Sequence, residues 1–288
     1  MSEAGSDHKR RASLSPQPGP RRAPRLAAGR ARALGLPTRG TTNANRLRRV
    51  DRWVLATQLP RLRDSARPLV VDLGYGSSAV TTLELVQRLS PEVERLEVVG
   101  LEIDPARVRA VAEDRDPPRV DFRLGGFELA GLQPVLVRTF NVLRQYDEDS
   151  AARAWDTMRA ALGPGGLIVE GTCDEWGRRS AWVALDAGGP LTLTLSTRVS
   201  DISAPSDLAE RLPKALIHHN VPGQPVHEFL RAFDAAWAAA AGLSTFGPRQ
   251  RWVAAVEALA AQGWPMVGSS RRWRHGEVTV RWSAVSPT

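Results

Sequence analysis

Apolar residues along the chain alternate between short unbroken runs and stretches with a helical period. Residues 69–73, Leu-Val-Val-Asp-Leu, form an apolar run with one acid, the pattern of a parallel strand buried on both faces. Further strands are expected over 96–103, 120–124, 135–140 and 167–170. Between them lie helices. Val80, Leu83 and Val86 share one face of a helix that Ser77 or Ser78 would cap, and Asp104 caps another with Pro105 at its first position. Over 147–162 the acids Asp147, Glu148 and Asp149 favour the helix N-terminus, and Ala151, Trp155, Met158 and Leu162 form its buried stripe. An earlier helix starts near a Thr or Asn cap at 41–43 and stops before Pro60, with Leu47, Val50 and Val54 on one face and Trp53 beside them.

After 170 the pattern predicts a hairpin of residues 181–185 and 191–196, joined by a turn over 186–190. Helices are expected near 208–212, over 226–241 with Phe229, Leu230, Phe233 and Trp237 as its stripe, and over 248–261; residues 277–282 alternate as a last strand.

Composition adds bounds. The 288 residues, 42% hydrophobic and 24% charged, suffice for one large core, or one core with an appendage. Of the net charge of +8, residues 1–40 supply +7, from nine basic side chains against Glu3 and Asp7. Residues 1–38 have no apolar period and read as a disordered basic tail able to touch nucleic-acid phosphates; a solvated extension is the alternative. The remainder, 39–288, reads as one domain with its core at about 40–200 and an elaboration over 201–288. No stretch has the roughly 20 apolar residues of a membrane span. The single cysteine, Cys173, excludes an intrachain disulfide framework and a thiolate zinc cluster, so a reducing, cytoplasmic setting is expected.

The chemistry gathers after the first strand. Gly74 and Gly76 allow a tight turn and close backbone approach, and strand, turn and helix N-terminus together make a nucleotide-binding crevice. Glu102, at the end of the second strand, stands too early to cap a helix; its two oxygens suit both hydroxyls of a ribose. Val71-Asp72-Leu73-Gly74-Tyr75-Gly76 resembles the first motif of class I S-adenosylmethionine-dependent methyltransferases, although Ser78 stands where a third glycine is usual. Glu102 falls where that family has its ribose-binding acid. Leu162-Gly163-Pro164-Gly165-Gly166-Leu167-Ile168-Val169 resembles the family's step into the fifth strand. Asn141-Val142-Leu143 resembles the segment found after the fourth strand in several small-molecule and protein methyltransferases, and lacks the Pro-Pro-aromatic pattern of enzymes acting on base amino groups.

The resemblance implies a doubly wound, mostly parallel, seven-stranded Rossmann-like α/β sheet with helices on both faces and a helical C-terminal elaboration. It implies S-adenosylmethionine as cofactor, no metal, and methyl transfer to a small-molecule acceptor. The cofactor residues it implies are Asp72, Gly74, Tyr75, Gly76, Glu102, Ile103, Gly126, Phe127 and Asn141. Many members place an acid near Gly126 for the adenine amino group; none is expected here, and Phe127 would offer an apolar face instead. For Asn141 a structural role, its amide bonding loop backbone, is the alternative. Thr41, Asn43 and Asn45 could reach the pocket, with helix capping as the alternative. Glu170, Asp174 and Glu175 could bind a cation or take a proton, but no catalytic base is assigned.

Lys214, His218, His219 and His227 read as a substrate-side wall or surface groups rather than metal ligands. The segment from Phe246 to Trp252 would cover the active site or bind an anion, a packed helix start being the alternative. Two other functions fit less of the pattern: a Rossmann-like protein using NAD(P) or no cofactor, and a nucleic-acid-associated scaffold acting through the Arg-rich tail.

Overall fold

The strands predicted from the apolar runs join into one sheet. The structure, a computed structural model, describes residues 42–288. The predicted tail over 1–38 and Thr41 lie outside the described residues. β1 (Leu69–Leu73), β2 (Glu97–Glu102), β3 (Val120–Leu124), β4 (Leu136–Phe140) and β5 (Leu167–Cys173) run parallel, and β6 (Arg179–Asp186), β7 (Gly189–Thr197), β8 (Met266–Val267) and β9 (Glu277–Arg281) continue the sheet antiparallel. Their order is β3-β2-β1-β4-β5-β6-β7-β9-β8.

Among the described residues the expected seven strands are therefore nine. Residues beyond 201, read as a helical elaboration, supply two of them: β9 pairs with β7 and β8 with β9. The physical reason is the hairpin, whose outer strand would otherwise present unpaired N–H and C=O groups.

Both faces of the parallel half are covered. Side chains alternate along each strand, so Val71, Leu101, Val137 and Ile168 join one core and Val70, Val98, Leu136 and Val169 the other. The first core is closed by α5 (Glu148–Ala160), α7 (Pro225–Ala239) and α8 (Pro248–Ala261); the second by α1 (Arg48–Thr57), α2 (Leu59–Arg63) and α3 (Val80–Leu89). The short helices α4 (Pro105–Ala110), α6 (Lys214–Ile217) and α9 (Ser270–Trp273) are the other helices among the described residues. Asp147 and Asp104 cap α5 and α4 with their side chains, as their positions predict.

Two helix starts differ from expectation. α1 begins at Arg48 after a turn, with Leu47 at its cap position and no side-chain cap. α3 has Ala79 at its cap; Ser78 Oγ accepts the Val80 N–H at 3.3 Å. The buried stripe of α3 runs through Thr82, Leu85, Val86 and Leu89, while Val80 and Leu83 are half-buried. The polar threonines turn inward because a charged network waits there.

That network centres on Arg138, a fully buried arginine in β4. It donates from Nε and Nη2 to the two oxygens of Asp72 at 2.9 and 2.6 Å, from Nη1 to Asp51 Oδ1 at 2.5 Å, and from Nη2 to the Thr81 carbonyl at 2.9 Å. Arg88 reaches the other Asp51 oxygen at 2.7 Å, and the Thr82 hydroxyl donates to Asp72 Oδ2 at 2.7 Å. Burial works against the Arg138 charge, yet the attraction of Asp72 and Asp51 outweighs it and holds the guanidinium above its ordinary value. Arg88 also reaches Glu84 at 3.2 Å, so two arginines meet three carboxylates and each of the innermost charges, Arg138, Asp51 and Asp72, is paired.

Removing one partner of such a group leaves buried charge uncompensated, at a cost of about 3–5 kcal/mol. Arg138→Met should therefore lower the urea midpoint by that much stability. The triple change Asp51→Asn, Asp72→Asn, Arg138→Met, which removes the three innermost charges and leaves Arg88 its contact with Glu84, should lose less than Arg138→Met alone. An unmoved midpoint for the single variant would show that the network does not hold the fold.

Candidate functional site

The crevice forms where β1, β2 and β4 end. Gly74 and Gly76 lie in the left-handed region, at φ +77° and +87°, where side chains are strained. At Gly74 there is a second demand. An added Cβ would sit 2.4 Å from Val142 Cγ2, so the turn after β1 presses on the segment after β4.

Glu102 joins this turn to the end of β2. Its Oε2 accepts the Gly76 N–H at 3.2 Å and lies 3.4 Å from Arg107 Nη1. Oε1 accepts the N–H groups of Ile103 and Asp104 at 2.9 and 3.3 Å. The residue is 3% exposed. Gly76, Glu102 and Ile103, three of the residues singled out in the sequence, are thus brought together.

Other residues serve differently. The Tyr75 ring turns into the core, edge-on to Phe122 with centroids 5.2 Å apart, and its buried hydroxyl has no partner among the described residues. Burial, with Glu102 and Asp72 nearby, pushes that phenol up. Only the Tyr75 carbonyl serves the turn, accepting the Thr42 hydroxyl at 2.9 Å. Both Asp72 oxygens are bound by Arg138 and Thr82. Asn141, at φ +60°, accepts the Cys173 N–H at 3.0 Å and donates to its Sγ at 3.2 Å, tying β4 to β5 through the role held open for its amide.

At the end of β3 the expectation of no acid is corrected. Glu128, two residues beyond Gly126, folds back and accepts the Gly126 N–H at 2.9 Å. A Cβ on Gly126 would lie 2.9 Å from the other Glu128 oxygen and 3.4 Å from Ile103 Cγ2, so the glycine leaves room for this return. Phe127 is half-buried and edge-on to Tyr146, centroids 5.4 Å apart. Burial and Glu102 both push the Tyr146 phenol up, which places it near the crevice acid. No pattern in the sequence singles out Tyr146; it is one aromatic in a loop.

Carboxylates after β5 divide. Asp174 accepts the N–H groups of Trp176, Arg178 and Arg179 at 3.0, 2.8 and 3.0 Å, and so shapes its own turn. Glu175 is exposed, and its carbonyl accepts the Asn43 amide at 3.1 Å. Asn45 pairs with Glu84 and Arg88. Glu170 is a strand residue, 1% exposed, with neither oxygen hydrogen-bonded. It pairs in register with Thr139, whose hydroxyl is also without a partner. Burial pushes Glu170 up to about 8, against the pull of the Trp155 indole N–H facing it.

His218, His219 and His227 lie against Lys214, Glu148 and Asn220 respectively, and no group of three or more His, Cys, Asp or Glu suited to a metal occurs among the described residues. Arg251 stacks 3.9 Å over the Trp237 ring and Trp252 is buried, so this segment is a packed helix start, with Phe246 left 74% exposed. Among the described residues no helix is long and apolar enough to cross a membrane.

The residues at the crevice fit a nucleoside-bearing cofactor. They offer a positive-φ glycine turn, a carboxylate among backbone donors, and a half-buried aromatic pair.

No protein-family model matches the chain, and no curated protein matches it. Solved structures do. LepI, solved with SAH and a substrate analogue, matches at 17% identity over 40% of this chain and 30% of its own, TM-score 0.35. Magnesium protoporphyrin IX methyltransferase from Synechocystis PCC 6803, solved with bound SAM, matches at 18% identity over 45% of this chain and 58% of its own, TM-score 0.34. The CcbJ methyltransferase from Streptomyces caelestis matches at 19% identity over 53% of this chain and 66% of its own, TM-score 0.35. The chain thus spans under a third of the length of the first of these, and likenesses of this extent assign no function.

Glu170 gives a direct test of its environment. The folded chain holds its proton to about pH 8, whereas the unfolded chain releases it near 4.5. Stability should therefore fall as pH rises through that window, by up to about 1.4 kcal/mol per pH unit from this group. Glu170→Gln should flatten the slope by one proton and raise stability at pH 7. Denaturant melts from pH 4 to 9 that show the same slope in both proteins would mean Glu170 is charged in the fold.

Proposed function

We propose that the chain is an S-adenosylmethionine-dependent methyltransferase of class I type, with a small-molecule acceptor. The observation that carries this reading is the Glu102 carboxylate bound to the Gly76 amide, which joins the glycine turn after β1 to the acid after β2 at one crevice. Glu102 would hold the ribose hydroxyls by exchanging its two longest contacts, Arg107 at 3.4 Å on one oxygen and the Asp104 N–H at 3.3 Å on the other, for them. The Gly74–Gly76 turn would lie against the amino-acid part, where only glycine lets backbone N–H groups approach. Ile103, Phe127 and Tyr146 would flank the base, and Glu128 stands at the strand end where a base amino group would be received.

When bound, S-adenosylmethionine supplies a methyl on a positively charged sulfur. The protein's part is then mainly positioning and electrostatics. Tyr146, with its phenol held above the ordinary value, stays protonated at neutral pH and can donate a hydrogen bond. Asp72 acts at one remove: fixed by Arg138, it anchors the strand from which the turn departs. The segment Asn141-Val142-Leu143, lacking a Pro-Pro-aromatic pattern, favours acceptors other than base amino groups.

Calorimetry with S-adenosylmethionine, S-adenosylhomocysteine, NAD and NADP tests the reading. The first two should bind and the last two should not. Glu102→Ala should weaken binding by about 1–3 kcal/mol, the range for hydrogen bonds to a charged group. Gly74→Val should abolish it, and circular dichroism must show the variant folded, because Val142 and the positive φ both oppose a side chain there. Preferential NADP binding would overturn the reading.

A further inference from the structure

On the side of the sheet that carries α1, the surface changes character beyond β6. Thr194 and Ser196 of β7 and Glu277 and Thr279 of β9 line it, all buried, with the two threonine hydroxyls 2.9 Å apart. Beside this polar face is a cavity of about 490 Å³, bounded by Thr57 of α1 and by Ser269, Arg271, Arg272 and His275 in and around α9.

Positive charge converges here. Arg49 donates from Nη1 to the Ser196 hydroxyl and to the His275 carbonyl, both at 3.2 Å, and its buried Nε has no partner among the described residues. Burial, followed by the charge of Arg48, lowers Arg49 to about 10; Arg52 acts in the same direction, and Glu277 and Asp174 oppose it. His275 is lowered by partial burial and by Arg272, Arg249, Arg52 and Arg271 around it. The acids that face the cluster are already engaged. Glu277 takes both arms of Arg272, at 2.8 and 2.5 Å, and Asp174 holds three backbone N–H groups. Among the described residues Arg52, Arg249 and Arg271 have no acidic partner.

Like charges gathered without counter-charge repel, and guanidinium forks match phosphate oxygens in geometry. The cluster holds more arginines than one phosphate group can engage. We propose that it binds consecutive phosphates, those of a nucleic-acid strand or of a small oligophosphate. The site goes beyond the methyltransferase reading and does not depend on it.

Its position nevertheless matters. Cys173, Ser180, Ser196 and Glu277 pair in one row across β5, β6, β7 and β9, so the cluster opens at the sheet edge that also carries the crevice. From β1, where the glycine turn leaves, to β9 there are five strand spacings, roughly 24 Å. The segment that bears nine basic residues within 1–40 joins the described fold at residue 42, just before Arg48, on the same edge.

The test uses the full chain. Fluorescence anisotropy follows a labelled single-stranded oligonucleotide of about twelve nucleotides over a salt series, and unlabelled tripolyphosphate competes. Arg52→Gln with Arg271→Gln removes two exposed charges from the cluster; Arg109→Gln with Arg231→Gln removes two exposed charges elsewhere. The cluster variant should lose about tenfold in affinity, and its log–log salt slope should fall by about 1.4, the value for two phosphate contacts on a single strand. The control pair should stay within about twofold. Loss confined to tripolyphosphate would assign the site to a small oligophosphate. Binding of neither probe, or equal loss in both double variants, would overturn the proposal.

Discussion

A buried arginine between two aspartates is the constraint on which the parallel half depends. Arg138 occupies the strand beside β1, and its two partners lie on β1 itself and on the helix that precedes it. Three separate stretches of sequence must therefore be in place before Arg138 and both of its aspartates are all compensated. Such a group adds little net stability over a well-packed apolar one, but it penalises every arrangement in which one member is missing. It sets the register of β1 against β4 and the seat of α1, and these fix where the glycine turn emerges.

The other half of the sheet obeys a different logic. β5 is the last parallel strand, and beyond it the chain forms a hairpin whose outer edge is covered by a strand from the far end of the sequence. One face of that extension is continuous with the apolar core, through Leu193, Leu195, Val278 and Val280. The opposite face is polar, and among the described residues no apolar helix closes it. Function on this side has to be argued from charge, whereas the crevice on the parallel side is argued from backbone geometry.

Much of this was legible in the sequence where a local pattern had one physical cause. Leu69–Leu73 reads as a buried strand because no other element tolerates that run between turn signals. Asp104 and Asp147 read as caps because their spacing to the following helix is fixed. Glu102 reads as a crevice acid because it ends a strand beside a glycine turn. The features that escaped depend on distant partners. Asp51, on the apolar face of α1, and Arg138, inside β4, each carried a warning, a charge in an apolar setting, but the pairing is a matter of three dimensions. Glu128 escaped because a chain reversal brings it to Gly126. Glu170 reads as the last residue of its strand, able to bind a cation or take a proton, because nothing local shows that β5 runs on to Cys173 and buries it.

The loop after β5 grips the chain's entry into the fold. Asn43 donates to the Glu175 carbonyl, Arg46 to that of Asp174 and Arg48 to that of Trp176, each across about 130 residues of sequence. An added Cβ on Gly177 would collide with the Arg46 carbonyl, so the two segments touch backbone to backbone. During synthesis residues 42–48 emerge from the ribosome long before residues 174–177. The first described segment of the chain therefore waits for these partners while five strands are made, with Tyr75, Glu84 and Arg88 the earlier contacts open to it.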